Sequence, residues 1–292
     1  MRIAVIVPFL NEEEHLGELL DSIAGQRRVP DRLLLVDDGS GDRGPQIAAA
    51  FAERHPYAAL VRRPRRCPER DRMVGAHEWR AFEWGLAQLG EDYDVVGKLD
   101  ADLRLTRDFF AEVERQFELD ASLGIAGAFL SSAMADGVFV RHRCPPEHVE
   151  GATAFYRRRC LREIWPIPAI LGWDTIDEAR ARMRGWRTAS FAIPSGDPVH
   201  MRRTGSHDGV LRGYRRAGLA AFVYGAHPLH VLLAGVNRMG DPPLLLCGLN
   251  YLAGWALGAL RRSPRAETEL RRFVRREHRR RMWGFAPLRS RA

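Results

Sequence analysis

Two aspartates, Asp100 and Asp102, stand two positions apart at the end of an apolar run at residues 95–99. On a chain that leaves a strand, carboxylates at this spacing can both reach one divalent cation. Hard cations prefer oxygen ligands and complete their shell with water and phosphate oxygens, which makes Mn²⁺ or Mg²⁺ the expected metal. The alternative is a polar strand end that caps a following helix near Thr106.

A second acidic pair, Asp37 and Asp38, follows the apolar run at residues 33–36 and precedes Gly39 and Ser40. Two adjacent carboxylates can accept hydrogen bonds from a base or a ribose, and a glycine beside them lets a ligand approach closely. The same four residues are also typical of a surface β-turn.

Pro8, Asn11 and Glu12 form a third polar group, at the end of the apolar run at residues 2–7. Each of the three groups is common by itself. Each group stands at the end of a short apolar run. The three groups in this order indicate a ligand site far more specifically than any one of them does. Together they favour one shared ligand site over three unrelated turns.

Strands and helices that could position these groups alternate over the first 130 residues. Short apolar runs predict strands at residues 2–7, 33–36, 58–61 and 95–99. Apolar periodicity predicts helices from an Asn11 cap to Ile23, over 47–54 and over 76–89. Strands joined by helical crossovers form a parallel sheet whose ligand crevice lies at the carboxyl ends of the strands. The sequence therefore predicts an α/β fold with all three polar groups on one rim.

On these residues the chain resembles the family 2 glycosyltransferases. The resemblance rests on residues 5–12, 36–40 and 98–102, in the family's order and with spacings typical of it. It covers residues 1–130 well and 150–210 more loosely. It implies the GT-A fold, a Rossmann-like, mostly parallel sheet flanked by helices. It also implies transfer of a sugar from a nucleoside diphosphate sugar to an acceptor hydroxyl, with inversion at the anomeric carbon.

The resemblance also implies roles for individual residues. Asp100 and Asp102 would hold the metal, and Asp37 or Asp38 would bind the base or ribose. The residues expected to contact the nucleotide sugar are Pro8, Asn11, Glu12, Asp37, Asp38, Lys98 and Asp100.

Inversion by direct displacement needs a general base for the acceptor hydroxyl. The family usually supplies it from a Glu-Asp pair that opens a helix after the metal motif. Counting back from the Gly-Trp pair at residues 185–186 puts Asp174 in that position, with Trp173 where the family often has Glu. Asp177 and Glu178 are the alternatives. Asp174 or the threonine after it could also simply cap the helix.

Residues 200–207 contain a further set of candidates. A neutral imidazole of His200 can complete the metal shell, and Arg202 or Arg203 can neutralise charge on the leaving diphosphate. The alternative is an ordinary loop with solvated arginines.

The net charge of +8 is confined to the end of the chain. Residues 261–292 contain twelve Arg and three Glu, a net charge of +9, so the rest of the chain carries −1. Few aromatic residues interleave with these arginines, so we do not expect nucleic acid as a partner. The four cysteines, Cys67, Cys144, Cys160 and Cys247, form no Cys-x-x-Cys pair and predict neither a zinc site nor a disulfide framework.

Residues 244–260 form a stretch of 17 residues without formal charge, and Arg261 and Arg262 follow at once. That length is at the lower limit for crossing a bilayer. A span with its basic flank in the cytoplasm would place the catalytic region outside, away from nucleotide sugars. We therefore expect this stretch at the membrane interface, with the Arg-rich segment on anionic headgroups. A helix packed on the domain, a dimer interface and a true span are the alternatives.

These observations predict a GT-A catalytic domain over residues 1–225, with a nucleotide-sugar half at 1–130 and an acceptor half at 131–225. Residues 226–292 are expected to form a helical extension. No secretory signal opens the sequence, so we expect the cytoplasm, with peripheral attachment at the inner face of the cell membrane.

The predicted function is an inverting glycosyltransferase in cell-surface polysaccharide or glycolipid synthesis, with a glycan or lipid-linked acceptor. One alternative is a nucleotidyltransferase that uses the same metal site, but this predicts a basic, glycine-rich loop where residues 11–14 are acidic. Another is a catalytically inactive sugar-nucleotide or membrane-binding module, against which Asp100, Asp102 and Asp174 argue.

Overall fold

The computed structural model describes residues 1–64, 73–133, 139–142, 144–202 and 209–284. Cys67 and Arg203 therefore lie outside the described residues. The chain divides into two compact units, Met1–Trp165 with Trp186–Arg203, and Pro166–Gly185 with Thr204–Ala292.

The strands are β1 (Ile3–Phe9), β2 (Arg32–Asp37), β3 (Ala58–Arg62), β4 (Val95–Lys98), β5 (Leu103–Arg104), β6 (Leu123–Ala128), β7 (Ser131–Ala133), β8 (Phe139–Arg141), β9 (Phe155–Arg157), β10 (Arg187–Phe191) and β11 (Val199–His200). The helices are α1 (Leu16–Ala24), α2 (Gly44–Arg54), α3 (His77–Leu89), α4 (Phe109–Leu119), α5 (Arg158–Ile164), α6 (Trp173–Met183), α7 (Val210–Val223), α8 (Pro228–Arg238), α9 (Leu246–Leu260) and α10 (Thr268–Met282).

The first unit is built on a sheet with the strand order β10-β6-β9-β4-β1-β2-β3. Its strands pair in parallel except β9, which is antiparallel to both β4 and β6. Every residue of β1 is buried, as a central parallel strand requires. The four strands predicted from the short apolar runs are all present, and the predicted α/β fold with a mostly parallel sheet is confirmed.

Helix α1 does not begin where the sequence suggested. Asn11 adopts a left-handed conformation with φ 54° instead of the extended one typical of a side-chain cap, and the helix starts only at Leu16, with His15 as its N-cap residue. The Asn11 Oδ1 instead accepts a hydrogen bond from the Gly41 backbone N–H at 2.8 Å. This bond ties the loop after β1 to the loop after β2. The predicted apolar face of the helix is buried as expected, at Leu16, Leu19, Leu20 and Ile23.

The strand that leads to Asp100 depends on a glycine. Gly97 in β4 lies directly across from Phe155 in β9, and a Cβ at Gly97 would overlap the Phe155 ring. That ring is fully buried against Phe109 and Phe110, with centroid distances of 5.7 Å and 6.2 Å. The missing side chain thus lets an aromatic core form directly behind the strand end.

A smaller sheet with the order β5-β11-β7-β8 follows the metal motif in the first unit. Asp100 and Asp102 precede its strand β5, and the next helix starts only at Phe109, with Asp108 as its N-cap residue. The two aspartates therefore do not cap a helix near Thr106.

The second unit contains α6 to α10 and, among its described residues, no strand. Gly218 of α7 packs directly on the Tyr251 carbonyl of α9, so the two helices approach backbone to backbone. Helix α10 packs on α6 through a cluster that includes Leu270, Val274 and Ile176. Through these contacts, α6 and α7 group with the C-terminal helices in one compact unit. The predicted division of roles between 1–130, 131–225 and 226–292 stays a prediction.

The apolar stretch at 244–260 includes the last two residues of the connection between α8 and α9. The rest of the stretch is α9, which is 15 residues long. Among the residues that the structure describes, no helix is long and apolar enough to cross a membrane.

Candidate active site

The carboxyl ends of β1, β2 and β4 meet at one edge of the main sheet. Phe9 at the end of β1 pairs with Asp37, and the Phe9 carbonyl accepts a hydrogen bond from the Asp38 N–H at 2.9 Å. On the other side, the Ile6 carbonyl accepts a hydrogen bond from the Leu99 N–H at 3.1 Å, directly before Asp100. The three polar groups therefore share one rim, as parallel pairing predicts.

Asp100, Asp102 and His200 form a cluster at this rim. Each offers one ligand atom, and these atoms lie within 4.8 Å of one another. The pairing of β11 with β5 places His200 opposite Leu103, and Asp102 Oδ1 lies 3.0 Å from His200 Nε2. Two carboxylates and an imidazole suit a divalent cation such as Mn²⁺. The donor set thus fits the expected metal.

The charges around Asp102 keep it ionised. Burial alone would raise the pKa of Asp102, but hydrogen bonds and charges from His200 and Arg202 outweigh it and hold this pKa far below its usual range. Burial lowers the pKa of His200, whereas the hydrogen bond and charge of Asp102 raise it, and the net shift is upward. A carboxylate that stays ionised is the form that a cation binds.

Arg202 connects two of the polar groups. Its Nε donates to Asp102 Oδ2 at 2.9 Å, and its terminal nitrogen pairs with the Glu12 carboxylate. Burial raises the pKa of Glu12, and Arg202 only partly opposes this shift. The structure thus brings predicted Glu12 and Arg202 to the metal cluster, while Arg203 lies outside the described residues.

Lys98 lies behind Asp100 and is fully buried. Its Nζ contacts the carboxylates of Asp100 and Glu78 and donates to the Gly151 carbonyl at 2.9 Å. Burial lowers the pKa of Lys98, but the two carboxylates raise it well above its usual range. Lys98 was expected to contact the nucleotide sugar. Its side chain is instead buried beneath Asp100 and pairs with that carboxylate.

Glu78, in the first turn of α3, was not among the residues predicted from the sequence. Burial and the charge of Asp100 raise its pKa, and Lys98 opposes the shift. One signal was available: Lys98 is the only lysine of the chain and stands on a buried strand, so it needs counter-charges. Nothing in the sequence near Glu78 indicated that it is the second counter-charge of Lys98, beside Asp100.

Asp37 and Asp38 are both buried but have different partners. Asp37 Oδ1 accepts hydrogen bonds from the N–H groups of Gly39 at 3.1 Å and Ser40 at 2.7 Å, which shapes the loop. Asp38 Oδ1 lies 2.7 Å from a terminal nitrogen of Arg63, a residue that the sequence did not single out. Pro8 is buried within β1 and pairs with Val36.

The candidate base lies in the second unit, at the start of α6. Gly172 is the N-cap residue of this helix, so neither Asp174 nor the threonine after it is the cap. Asp174 is partly exposed, and its Oδ1 accepts a hydrogen bond from the Thr175 N–H at 2.9 Å. Trp173 is buried.

The two alternative bases are less accessible. Asp177 and Glu178 are buried, and Glu178 lies 3.3 Å from Arg182. Arg182 also pairs with Glu277 of α10 at 2.9 Å. Within α6, Asp174 is therefore the most open of the three carboxylates.

Comparison with known proteins places this site in a family context. The model of glycosyl transferase family 2 matches residues 4–172. The undecaprenyl-phosphate 4-deoxy-4-formamido-L-arabinose transferase of Pectobacterium atrosepticum is 36% identical over 108 residues, which are 35% of this chain and 29% of that protein. The minor teichoic acid biosynthesis protein GgaA of Bacillus subtilis is 26% identical over 121 residues, 38% of this chain and 25% of that protein. The chain thus spans less than a third of the length of these relatives.

A likeness in three dimensions extends over nearly the whole chain. The mannosyltransferase PcManGT from Pyrobaculum calidifontis, solved in complex with GDP-Man and Mn²⁺, superposes with a TM-score of 0.59 at 20% identity. The match covers 98% of this chain and 88% of that one. At this identity the likeness shows a common fold, in agreement with the predicted GT-A architecture.

Proposed function

The chain belongs to glycosyl transferase family 2, and from this premise we propose that it transfers a sugar from a nucleoside diphosphate sugar to an acceptor hydroxyl with inversion. The observation that carries the proposal is the cluster of Asp100, Asp102 and His200 at the carboxyl ends of the parallel strands. A metal ion held there, Mn²⁺ or Mg²⁺, supplies positive charge that stabilises the leaving diphosphate. PcManGT, which has the same fold, was solved with GDP-Man and Mn²⁺.

Residues around the metal cluster are proposed to hold the donor. The guanidinium of Arg202, held between Asp102 and Glu12, is proposed to pair with phosphate oxygens of the donor. Asp37 and Asp38 are proposed to accept hydrogen bonds from the base or ribose, with Asp38 oriented by Arg63. Pro8, near the end of β1, and Asn11, in the loop that follows, are proposed to lie near the nucleotide.

Asp174 is proposed as the general base. It takes the proton from the acceptor hydroxyl as that oxygen bonds to the anomeric carbon. The bond from the anomeric carbon to the diphosphate oxygen breaks in the same step, and the nucleoside diphosphate leaves. The side chain of Asp174 is partly exposed, whereas those of Asp177 and Glu178 in the same helix are buried. This difference favours Asp174 as the base.

The acceptor is proposed to be lipid-linked or a glycan, in cell-surface polysaccharide or glycolipid synthesis. The relatives named above act, by their names, with undecaprenyl phosphate and in teichoic acid synthesis. We infer that the enzyme works at the inner face of the cell membrane, where nucleotide sugars and lipid-linked acceptors meet.

The decisive experiment measures release of free nucleoside diphosphate when the full chain is incubated with Mn²⁺ or Mg²⁺ and a panel of nucleoside diphosphate sugars. Slow hydrolysis of one donor is the expected result. Asp102→Asn should reduce it at least about a hundredfold, because it weakens metal binding and the charge stabilisation of the leaving group. Asp21→Asn, an exposed position on α1, is the matched control and should be fully active.

Two other outcomes would reject the proposal. Pyrophosphate release from a nucleoside triphosphate and a sugar phosphate would identify a nucleotidyltransferase. Donor binding without turnover, with or without extracted membrane lipid as acceptor, would identify an inactive binding module.

The role of Asp174 is tested separately. Asp174→Asn should leave donor binding unchanged and remove turnover; full turnover in this variant would exclude Asp174 as the base.

A further inference from the structure

One face of α8 is apolar and exposed. Leu229, Leu232, Leu233 and Val236 are each between 41% and 55% exposed. Their spacing of three and four residues puts them on one stripe of the helix. The opposite face is buried against α9 and includes Val231. Among the described residues of the second unit, the stripe is therefore left largely open to solvent.

The hairpin between α8 and α9 continues this apolar face. Leu244, Leu245, Leu246 and Leu249 are also exposed, and the Leu245 N–H donates to the Met239 carbonyl directly after α8, at 2.9 Å. We call these exposed residues of α8, the hairpin and the start of α9 the leucine surface: Leu229, Leu232, Leu233, Val236, Leu244, Leu245, Leu246 and Leu249. Contiguous apolar surfaces of this kind mark interaction sites.

Basic residues lie beside the leucine surface. His230 of α8 stacks on His278 of α10 with a centroid distance of 3.9 Å, which places the end of α10 next to the first turns of α8. Arg279 and Arg281 are exposed in that part of α10, and Trp283 follows, also exposed. An apolar stripe with arginines and a tryptophan at its border is typical of helices that lie in a lipid interface.

The structure also shows which residues of the predicted apolar stretch are exposed to solvent. Much of α9 is buried in packing, at Cys247, Gly248, Tyr251, Gly254 and Gly258. The start of this helix and the hairpin before it present a row of leucines outward. Half of the leucine surface, its four residues on α8, therefore lies outside the predicted stretch at 244–260.

We propose that the leucine surface docks into the interface of an anionic lipid bilayer, with Arg279 and Arg281 contacting the headgroups. This inference rests on the proposed lipid-linked acceptor but concerns a different part of the chain. A second copy would offer the same basic border again and no anionic surface of its own for Arg279 and Arg281 to pair with. A bilayer with anionic headgroups instead complements both the leucines and the arginines.

The test is sedimentation of the full chain with vesicles of phosphatidylcholine alone or mixed with phosphatidylglycerol. Strong binding is expected only with the mixture. Leu232→Gln with Leu233→Gln should weaken it about tenfold or more, since both side chains lose their transfer into the apolar layer. Leu119→Gln, at an exposed leucine in the first unit, should bind as the unchanged protein does.

A second pair of variants tests the charge. Arg279→Gln with Arg281→Gln should weaken binding to the anionic vesicles about tenfold, whereas Arg54→Gln with Arg107→Gln, exposed in the first unit, should not. Equal binding of the leucine variant and the unchanged protein overturns the proposal. So does a concentration-dependent dimer in analytical ultracentrifugation that the leucine variant abolishes. No donor sugar is present in these measurements, so their failure leaves the proposed transferase activity standing, and the reverse also holds.

Discussion

His200 Nε2 lies 3.0 Å from Asp102 Oδ1, although 98 positions separate the two residues in the sequence. The backbone holds this contact, because His200 pairs with Leu103 across β11 and β5 and the Met201 N–H donates to the Asp102 carbonyl at 2.9 Å. The imidazole and the carboxylate are thus placed together by short strands rather than by a mobile loop. Ligands positioned in this way lose little freedom when a cation binds.

Substitution of His200 should separate metal affinity from catalysis. His200→Asn removes one proposed ligand, and we expect the Mn²⁺ concentration that gives half-maximal nucleoside diphosphate release to rise about tenfold or more. Activity should largely return at saturating Mn²⁺, because Asp100 and Asp102 remain. An unchanged metal requirement would show that His200 is not a ligand. Asp21→Asn again serves as the control.

Lys98 should contribute to stability through its charge. Lys98→Met leaves Asp100 and Glu78 without their shared counter-ion, and the free energy of unfolding should fall by about 3 kcal/mol in urea titrations. Adding Glu78→Gln should restore part of that loss because one of the two carboxylates is then neutral. Equal losses in the single and double variants would mean that Lys98 acts through packing alone.

His278, which stacks on His230 in the second unit, should make the protein less stable in acid. Burial, together with the charges of His230 and nearby arginines, lowers the pKa of His278 to about 3, so His278 is neutral in the folded protein near neutral pH. In the unfolded chain it is protonated below about pH 6.5. Its contribution to stability is therefore complete above pH 6.5 and declines as the pH falls toward 3, by about 2 kcal/mol between pH 6.5 and 5.

The contribution of His278 can be isolated by comparison with His278→Gln. Urea unfolding at pH 7 and pH 5 should show a smaller acid-induced loss for the variant than for the unchanged protein, by about 2 kcal/mol. His55→Gln is the control, at a partly buried histidine of the first unit. Parallel pH profiles for the unchanged protein and the His278 variant would contradict the assignment.

Gly97→Ala should test the core behind the metal motif. The new Cβ overlaps the Phe155 ring, so we expect a loss of about 2 kcal/mol or more in the free energy of unfolding. Gly17→Ala is the control, because the residue is helical and a Cβ there would meet no atom within 4 Å other than its chain neighbours and the backbone of its own helix. That variant should be unchanged or up to about 1 kcal/mol more stable. Equal stability of the two variants would show that the Phe155 ring moves aside freely.

The first four strands were predictable because central parallel strands are buried on both faces and read as short apolar runs. The rim followed from the same argument, since parallel strands end on the same side. The start of α1 was not predictable: Asn11 has a typical capping side chain, but its left-handed backbone and its bond to Gly41 depend on a neighbouring loop.

Partners distant in sequence were also beyond prediction. Glu78 and Arg63 lie on α3 and just after β3, and neither position has a local pattern that points to Lys98 or Asp38. The grouping of α7 with the C-terminal helices depends on the close contact of Gly218 with Tyr251, which composition along the chain does not reveal. Local periodicity identified the elements, whereas these pairings depend on tertiary packing.

The chain passes from one compact unit to the other three times, after residues 165, 185 and 203. Neither unit is therefore a continuous segment that a single cut could release. A chain shortened after residue 225 would keep α6, which carries Asp174, but lose the α10 side chains Leu270 and Val274 that bury it. Such a deletion would damage the proposed base and the leucine surface together. Only point substitutions can tell catalysis and lipid attachment apart in this protein.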